Sequence, residues 1–263
     1  MPSVRFLRAS ERLWKARHTF RQARLALWRR RRSFRYRRWR HHRDRLPEGH
    51  ELRAKWWRLY REAGRQVARW RRLRDKASAR LALRRRRLLE RGARRPRMVR
   101  LSTRVRGRFG AIGPLLAVTG HYTAGRADRD DADALRLLRD IDAEHHSRFG
   151  DGIAYHYAIT RAGTLVLLRG TALRGTGVQG ANTGNVHVVC LGTTGTRPTA
   201  LQAGVLRWLH RNAHRRGVPA SHRLPVRMSG LRALGHTDWP PPGGATACPG
   251  GFRRMCLTRG RER

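Results

Sequence analysis

The 263 residues suffice for one or two domains with a real hydrophobic core. Their charge is extreme: 61 Lys+Arg against 17 Asp+Glu give a formal +44, and only Lys15, Lys55 and Lys76 are lysines. Such a field calls for a polyanionic counterpart, whether nucleic acid, anionic lipid or anionic wall polymer, and three cysteines exclude a disulfide framework.

The excess is uneven. Residues 1–100 hold 37 Lys+Arg and 7 Asp+Glu, whereas residues 101–263 hold 24 and 10. Six of eight tryptophans, Trp14, Trp28, Trp39, Trp56, Trp57 and Trp70, also fall in the first part. The N-terminus has charge but no apolar core of a signal peptide, and no window reaches the roughly 20 apolar residues that span a bilayer. The expectation is a chain made in the cytoplasm without a signal.

In chain order, residues 5–45 and 50–92 read as two helices. Trp56, Leu59, Ala63, Val67, Trp70, Leu73, Ala77 and Leu81 recur in steps of three and four. The turn RLPEGHE at 45–51 joins them, so 1–92 is expected to be an arginine- and tryptophan-rich helical hairpin. Residues 93–114 lack a clean period and read as a basic linker. LLAVTGHY (115–122) has the pattern of a buried strand, and the segment 132–149 has helical spacing with acids gathered at its start.

IAYHYAIT and TLVLLRG, joined by a tight connection, read as a β-hairpin, and VHVVCLG (186–192) as another buried strand. Residues 198–217 carry proline near the start and glycine past the end of a helix, on which Leu206 and Trp208 are expected to be core. Strands mixed with helices over 115–263 predict an α/β (α+β) domain: a mixed central sheet flanked by helices.

The chemistry centres on GHTDWPPPGGATACPG (235–250), where His236 and Cys248 flank a loop. Imidazole and thiolate are zinc donors, and a catalytic zinc uses three protein ligands and one open position. Their spacing fits no compact zinc finger, so a third ligand must be remote. His121, at a strand end in AVTGHYTAG, is a candidate.

These contexts resemble the zinc-dependent N-acetylmuramoyl-L-alanine amidases, the family that includes amidase-type phage lysozymes and peptidoglycan recognition proteins. VTGHYTAG is similar to the family's first ligand strand, and IAYHYAITRAGTLVLLRG to its hairpin. VHVVCLG is similar to the strand before its long helix, and GHTDWPPPGGATACPG to its ending. The four matches occur in order over about 115–255 and leave residues 1–100 uncovered.

The resemblance implies zinc ligands at His121, His236 and Cys248, a catalytic tyrosine at Tyr155, and a catalytic helper at Thr246. It implies a zinc-activated water that cleaves the bond between N-acetylmuramic acid and L-alanine in bacterial peptidoglycan. Members that only bind peptidoglycan commonly replace the cysteine, so Cys248 favours hydrolysis. A signal-less lysin of phage type, acting at the cell wall, is the expected setting.

Some positions depart from the pattern. PPPGG lengthens the last loop, DGIAY stands where the family has Asp-Ile-Gly-Tyr, and Asn182, a candidate substrate contact, occupies a place expected for a substrate-side His. Arg169 closes the hairpin either as a substrate contact or as a structural ion pair. His145 and His146 read as solvated or packing residues near a helix end, and His156 as a structural residue facing away from Tyr155. Cys190 reads as a small buried apolar residue, and Cys256 has no assigned role. Two other readings compete with the hydrolase: a peptidoglycan-binding module without catalysis, and nucleic-acid or anionic-membrane binding through residues 1–92.

Overall fold

The structure, a computed structural model, describes residues 2–193, 195–239 and 248. Thr246, the PPPGG stretch at 240–244 and Cys256 lie outside the described residues. The chain divides into two compact units, Met1–Leu88 and Leu89–Arg263.

The first unit is the expected hairpin, built from α1 (Val4–Arg43) and α2 (Glu51–Glu90). Ser3 opens α1 by accepting the Phe6 N–H, a bond typical of helix starts. Along α2 the buried and half-buried positions Trp56, Tyr60, Ala63, Val67, Trp70, Ala77, Leu81 and Leu88 fall at steps of three, four and seven, all on one face. Arg35 and Arg21 of α1 donate to the carbonyls of Leu59 and Leu73, which fixes an antiparallel pair. Near the turn, Tyr36, Trp39, Trp57 and Tyr60 form an aromatic cluster, with the Trp39 and Trp57 ring centroids 4.9 Å apart.

The second unit is a six-stranded mixed sheet with helices on its faces. Its strands are β1 (Met98–Arg100), β2 (Ala117–Tyr122), β3 (Tyr157–Ile159), β4 (Leu165–Leu167), β5 (Asn185–Cys190) and β6 (Arg232–Gly235). They run in the spatial order β1-β4-β3-β5-β2-β6, and among these described strand pairings only the β3–β4 hairpin is antiparallel. Alternation along the strands separates two cores. Val118, Tyr157, Val186, Val188 and Cys190 pack with Val205, Trp208 and Leu209 of α4 (Ala200–Asn212). Ala158, Val166 and Val189 pack with Ala134 and Leu138 of α3 (Asp131–Phe149).

Both helices have defined ends. Asp130 caps α3 at Asp133 N, and Gly150 closes it in the left-handed region at φ 68°. Thr199 and Gln202 form a reciprocal capping box on α4. Helix α4 is shorter than the predicted 198–217: Ala213 follows its last turn, and residues to Gly217 form turns.

The sequence reading of 93–114 as a linker needs correction. Met98–Arg100 pairs in parallel with Leu165–Leu167, and Leu101 N–H donates to the Leu167 carbonyl. Arg104 N–H and Arg106 N–H then donate to Asp142 and Asp151. A three-residue edge strand is too short to show a period, and carboxylates far along the chain anchor the rest. β6 escaped prediction for the same reason: LRALG supplies four strand residues.

Candidate metal centre

Three parallel strands, β5, β2 and β6, bring their C-terminal ends together, where open α/β sheets usually hold ligands. His121 is the fifth residue of β2, and His236 follows directly on β6. Gly120 and Gly235 are register partners, so the two histidines leave adjacent strands at one level. Thr237 N–H donates to the Cys248 carbonyl at 2.9 Å, tying the His236 turn to the cysteine backbone. The His121, His236 and Cys248 donor atoms all lie within 4.8 Å of one another.

This is the donor set named from sequence, gathered from positions 115 and 12 residues apart. Sγ of Cys248 is 3.8 Å from Nδ1 of His121, and the two imidazole centroids are 4.9 Å apart. Burial pushes the Cys248 thiol up to about 11, and the Tyr122 N–H at 3.2 Å from Sγ offsets this in part. Burial, and secondarily the neighbouring His236 and His156, hold His121 well below the usual histidine range. Two imidazoles and a thiol, largely withdrawn from water and with no acid among them, are the chemistry of a zinc site. The residues fit that metal.

Tyr155 stands beside this cluster, its ring centroid 5.2 Å from that of His121. Burial, followed by the nearby Cys248, raises its phenol above the ordinary range, so it carries its proton at neutral pH. His145 of α3 lies with its ring centroid 5.7 Å from that of Tyr155 and accepts the Ala154 N–H. That is a positioning role, in keeping with the packing assignment.

His156 does not face away from Tyr155 as expected. Its ring stacks on His187 at 5.7 Å, so both residues border the same pair of imidazoles. β3 begins only at Tyr157, so strand alternation does not govern 155 and 156. His156 is nonetheless committed to the backbone: Nε2–H donates to the Leu173 carbonyl and Nδ1 accepts the His187 N–H, each at 2.9 Å.

Arg169 resolves between its two readings as an ion pair and is corrected as a substrate contact. The residue is wholly buried, and Nη1 lies 3.0 Å from Asp151. Its other donors serve the carbonyls of Ile153, Arg174 and Gly152. At 0% exposure it presents no face to a ligand. Asp151, one place early relative to the family pattern, is what it holds. Asn182 uses its side-chain carbonyl to accept the Val178 N–H at 2.9 Å, which shapes the loop before β5.

One residue of the centre was missed. His187, in the middle of β5, lies fully buried with Nδ1 2.9 Å from Nε2 of His121. If Nδ1 of His121 offers its lone pair to a metal, the ring proton must sit on Nε2, and His187 accepts it. Such outer partners orient metal-binding histidines. The loop at 175–177 covers this pair with glycines. A Cβ on Gly177 would meet His187 Nδ1 at 2.7 Å and His121 Nε2 at 3.0 Å. The signal in sequence was the alternation itself: His187 shares the face of Asn185 and Val189, opposite register positions Thr119 and His121.

Solved structures with a similar chain include Drosophila PGRP-LB, at 21% identity and TM-score 0.48 over 59% of this chain and 89% of that one. Peptidoglycan recognition protein-LE in complex with tracheal cytotoxin is 25% identical at TM-score 0.43, over 53% and 76%. The N-acetylmuramoyl-L-alanine amidase LysC from Clostridium intestinale is 20% identical at TM-score 0.44, over 59% and 89%. A search of curated proteins finds no match. The family model for N-acetylmuramoyl-L-alanine amidase matches residues 113–251, more than half of the sequence and the whole metal centre, and the chain belongs to that family.

Proposed function

We propose that this chain is a zinc-dependent peptidoglycan hydrolase that cleaves the amide bond between N-acetylmuramic acid and L-alanine of the stem peptide. The observation that carries the reading is the convergence of His121, His236 and Cys248 within 4.8 Å beside Tyr155. Zinc held by such a set supplies Lewis acidity toward the scissile carbonyl and activates water near neutral pH.

The protein's own residues do the rest. His187 accepts the His121 Nε2–H and so keeps Nδ1 turned toward Cys248. The protonated Tyr155 is a hydrogen-bond donor for the oxyanion that develops as the amide carbon becomes tetrahedral. Thr246, two residues before Cys248, is proposed as a second polar contact to the reacting groups. The buried Arg169–Asp151 pair braces the segment that delivers Tyr155.

The retained cysteine favours hydrolysis over recognition alone. The proposed setting is a phage-type lysin made in the cytoplasm and acting at the cell wall. The cationic residues 1–92 then associate with an anionic partner. No described helix is long and apolar enough to cross a membrane. The deciding experiment is mass analysis of muropeptides after digestion, with metal content measured on the same preparation. Free L-alanine amino termini that vanish with chelator and return with zinc are expected. Tight wall binding with every glycan–peptide bond intact would replace catalysis with recognition.

A further inference from the structure

Helix α1 carries two apolar seams; α2 covers the inner one and only edges the outer, where Trp70 and Trp56 meet the Phe20 and Phe34 rings edge-on and Arg84 lies over Phe6. The inner seam includes Leu7, Trp14, Leu25, Trp28 and Trp39, all buried or half-buried. The outer one reads Phe6, Ala9, Leu13, Ala16, Phe20, Ala23 and Leu27, interrupted once by Arg30 before Phe34. Its steps are three and four throughout, with a large residue alternating with alanine. Every member is exposed, and Phe6, Leu13, Phe20, Leu27 and Phe34 leave 55%, 49%, 54%, 37% and 47% of their surface uncovered.

The spacing restricts what can cover this seam. A straight α-helix drifts about 20° per heptad from a strict seven-residue repeat, so a stripe that keeps the repeat follows a left-handed supercoil. From Phe6 to Phe34 the seam runs about 42 Å at 1.5 Å per residue. At a pitch of about 150 Å it winds roughly 100° around the axis of the helix pair. A flat lipid surface meets only part of such a stripe, whereas another helix that supercoils with it meets all of it. Alternation of large residues with alanine is also how facing helices interdigitate.

Charge restricts the choice again. One flank of the seam is Ser10, Arg17, Arg24, Arg31 and Arg38; the other begins Arg5, Arg12 and Thr19. Neither flank carries an acid. Arg24 and Arg38 lie over the Phe20 and Phe34 rings, with 5.4 and 5.6 Å to the centroids. Flanking charges select coiled-coil partners. Two copies of this chain would set arginine against arginine, while a helix with Glu or Asp at the matching positions would pair. We infer that the outer face of α1 docks a helix of another protein, with a heptad apolar repeat flanked by acidic residues.

The test uses the full chain and two synthetic five-heptad peptides with leucine and alanine at their apolar positions. One carries glutamate at the flanks and the other lysine. Binding is read by fluorescence anisotropy at physiological ionic strength against the chain and its Leu13→Asp/Leu27→Asp variant. Both substituted positions lie outside the inner seam, and unchanged helicity by circular dichroism verifies that the hairpin persists. The glutamate peptide is expected to bind with a micromolar dissociation constant, to weaken at least tenfold on the variant, and to outcompete the lysine peptide entirely. Equal binding to both chains would reduce the effect to the general positive field, and absence of binding would end the proposal. A dimer in sedimentation equilibrium that the variant dissolves would overturn it in favour of a second copy. Phosphatidylglycerol vesicles that bind only the unsubstituted chain, with no peptide binding, would overturn it in favour of lipid.

Discussion

Replacing His187 with leucine removes the acceptor from the His121 Nε2–H while keeping the space filled and dry. His121 is 2% exposed and His187 0%, so water cannot take over the 2.9 Å hydrogen bond. A buried donor stripped of its partner costs about 1–3 kcal/mol, which is roughly 5- to 150-fold in affinity at 1.4 kcal/mol per decade. Loss of an outer partner of a metal-binding histidine typically costs about 10–100-fold. The two ranges overlap near 30-fold, and that drop in zinc affinity is expected for His187→Leu. His187→Asn, whose Oδ1 can stand near the place of Nδ1, is expected to recover most of it. Competition with a chromophoric chelator gives the affinity, and the visible spectrum of the cobalt form reports ligand geometry. The urea midpoint of the metal-free protein, measured in parallel, separates packing loss from metal binding. Tight zinc binding by the unsubstituted chain, unchanged in His187→Leu, would refute the positioning argument. No zinc binding by the unsubstituted chain would instead remove the metal assignment beneath it.

Other outcomes follow from the same geometry. Tyr155→Phe is expected to lower kcat by about 10²–10³, the range for one lost oxyanion donor, while metal content by emission spectroscopy stays at the unsubstituted level. Arg169→Met strands Asp151 in the interior and is expected to cost about 3–5 kcal/mol, read as a lower urea midpoint for the second unit; the double change with Asp151→Asn should recover part of it. Gly177→Ala drives a methyl against the His121–His187 pair, and weaker zinc binding together with a lower midpoint is expected. Burial lowers His156 and His210 to about 4 each. Their folded values lie below the unfolded value near 6.5, so the stability they contribute is present above that pH and is lost as pH falls toward 4. From pH 6.5 to 5 each costs about 2 kcal/mol, and urea midpoints across that window should fall, less steeply in His210→Gln.

The resemblance stated from four short motifs, in order, agrees with the family membership found over 113–251. The hairpin was legible because the apolar positions of its second helix repeat over about ten turns, and because both segments lack proline on either side of the turn at 45–51. The buried strands around His121 and His187 were legible as apolar runs. Cys190 and Trp208 lie in the core beside α4 as read.

Sequence by itself determined which residue types carry the chemistry and which parts of the chain repeat, because both are local properties. Tertiary structure alone decided which groups meet. Parallel pairing of β2 with β5 and β6 sets His121 beside His187 and His236, a register that no local spacing encodes. The same holds for Arg169, which in sequence reads equally as a substrate contact or as a structural ion pair. Its burial against Asp151 and three carbonyls turns it inward, since a guanidinium out of water must satisfy all its donors within the protein. The edge strand β1 likewise exists only because Leu165–Leu167 offers it a partner.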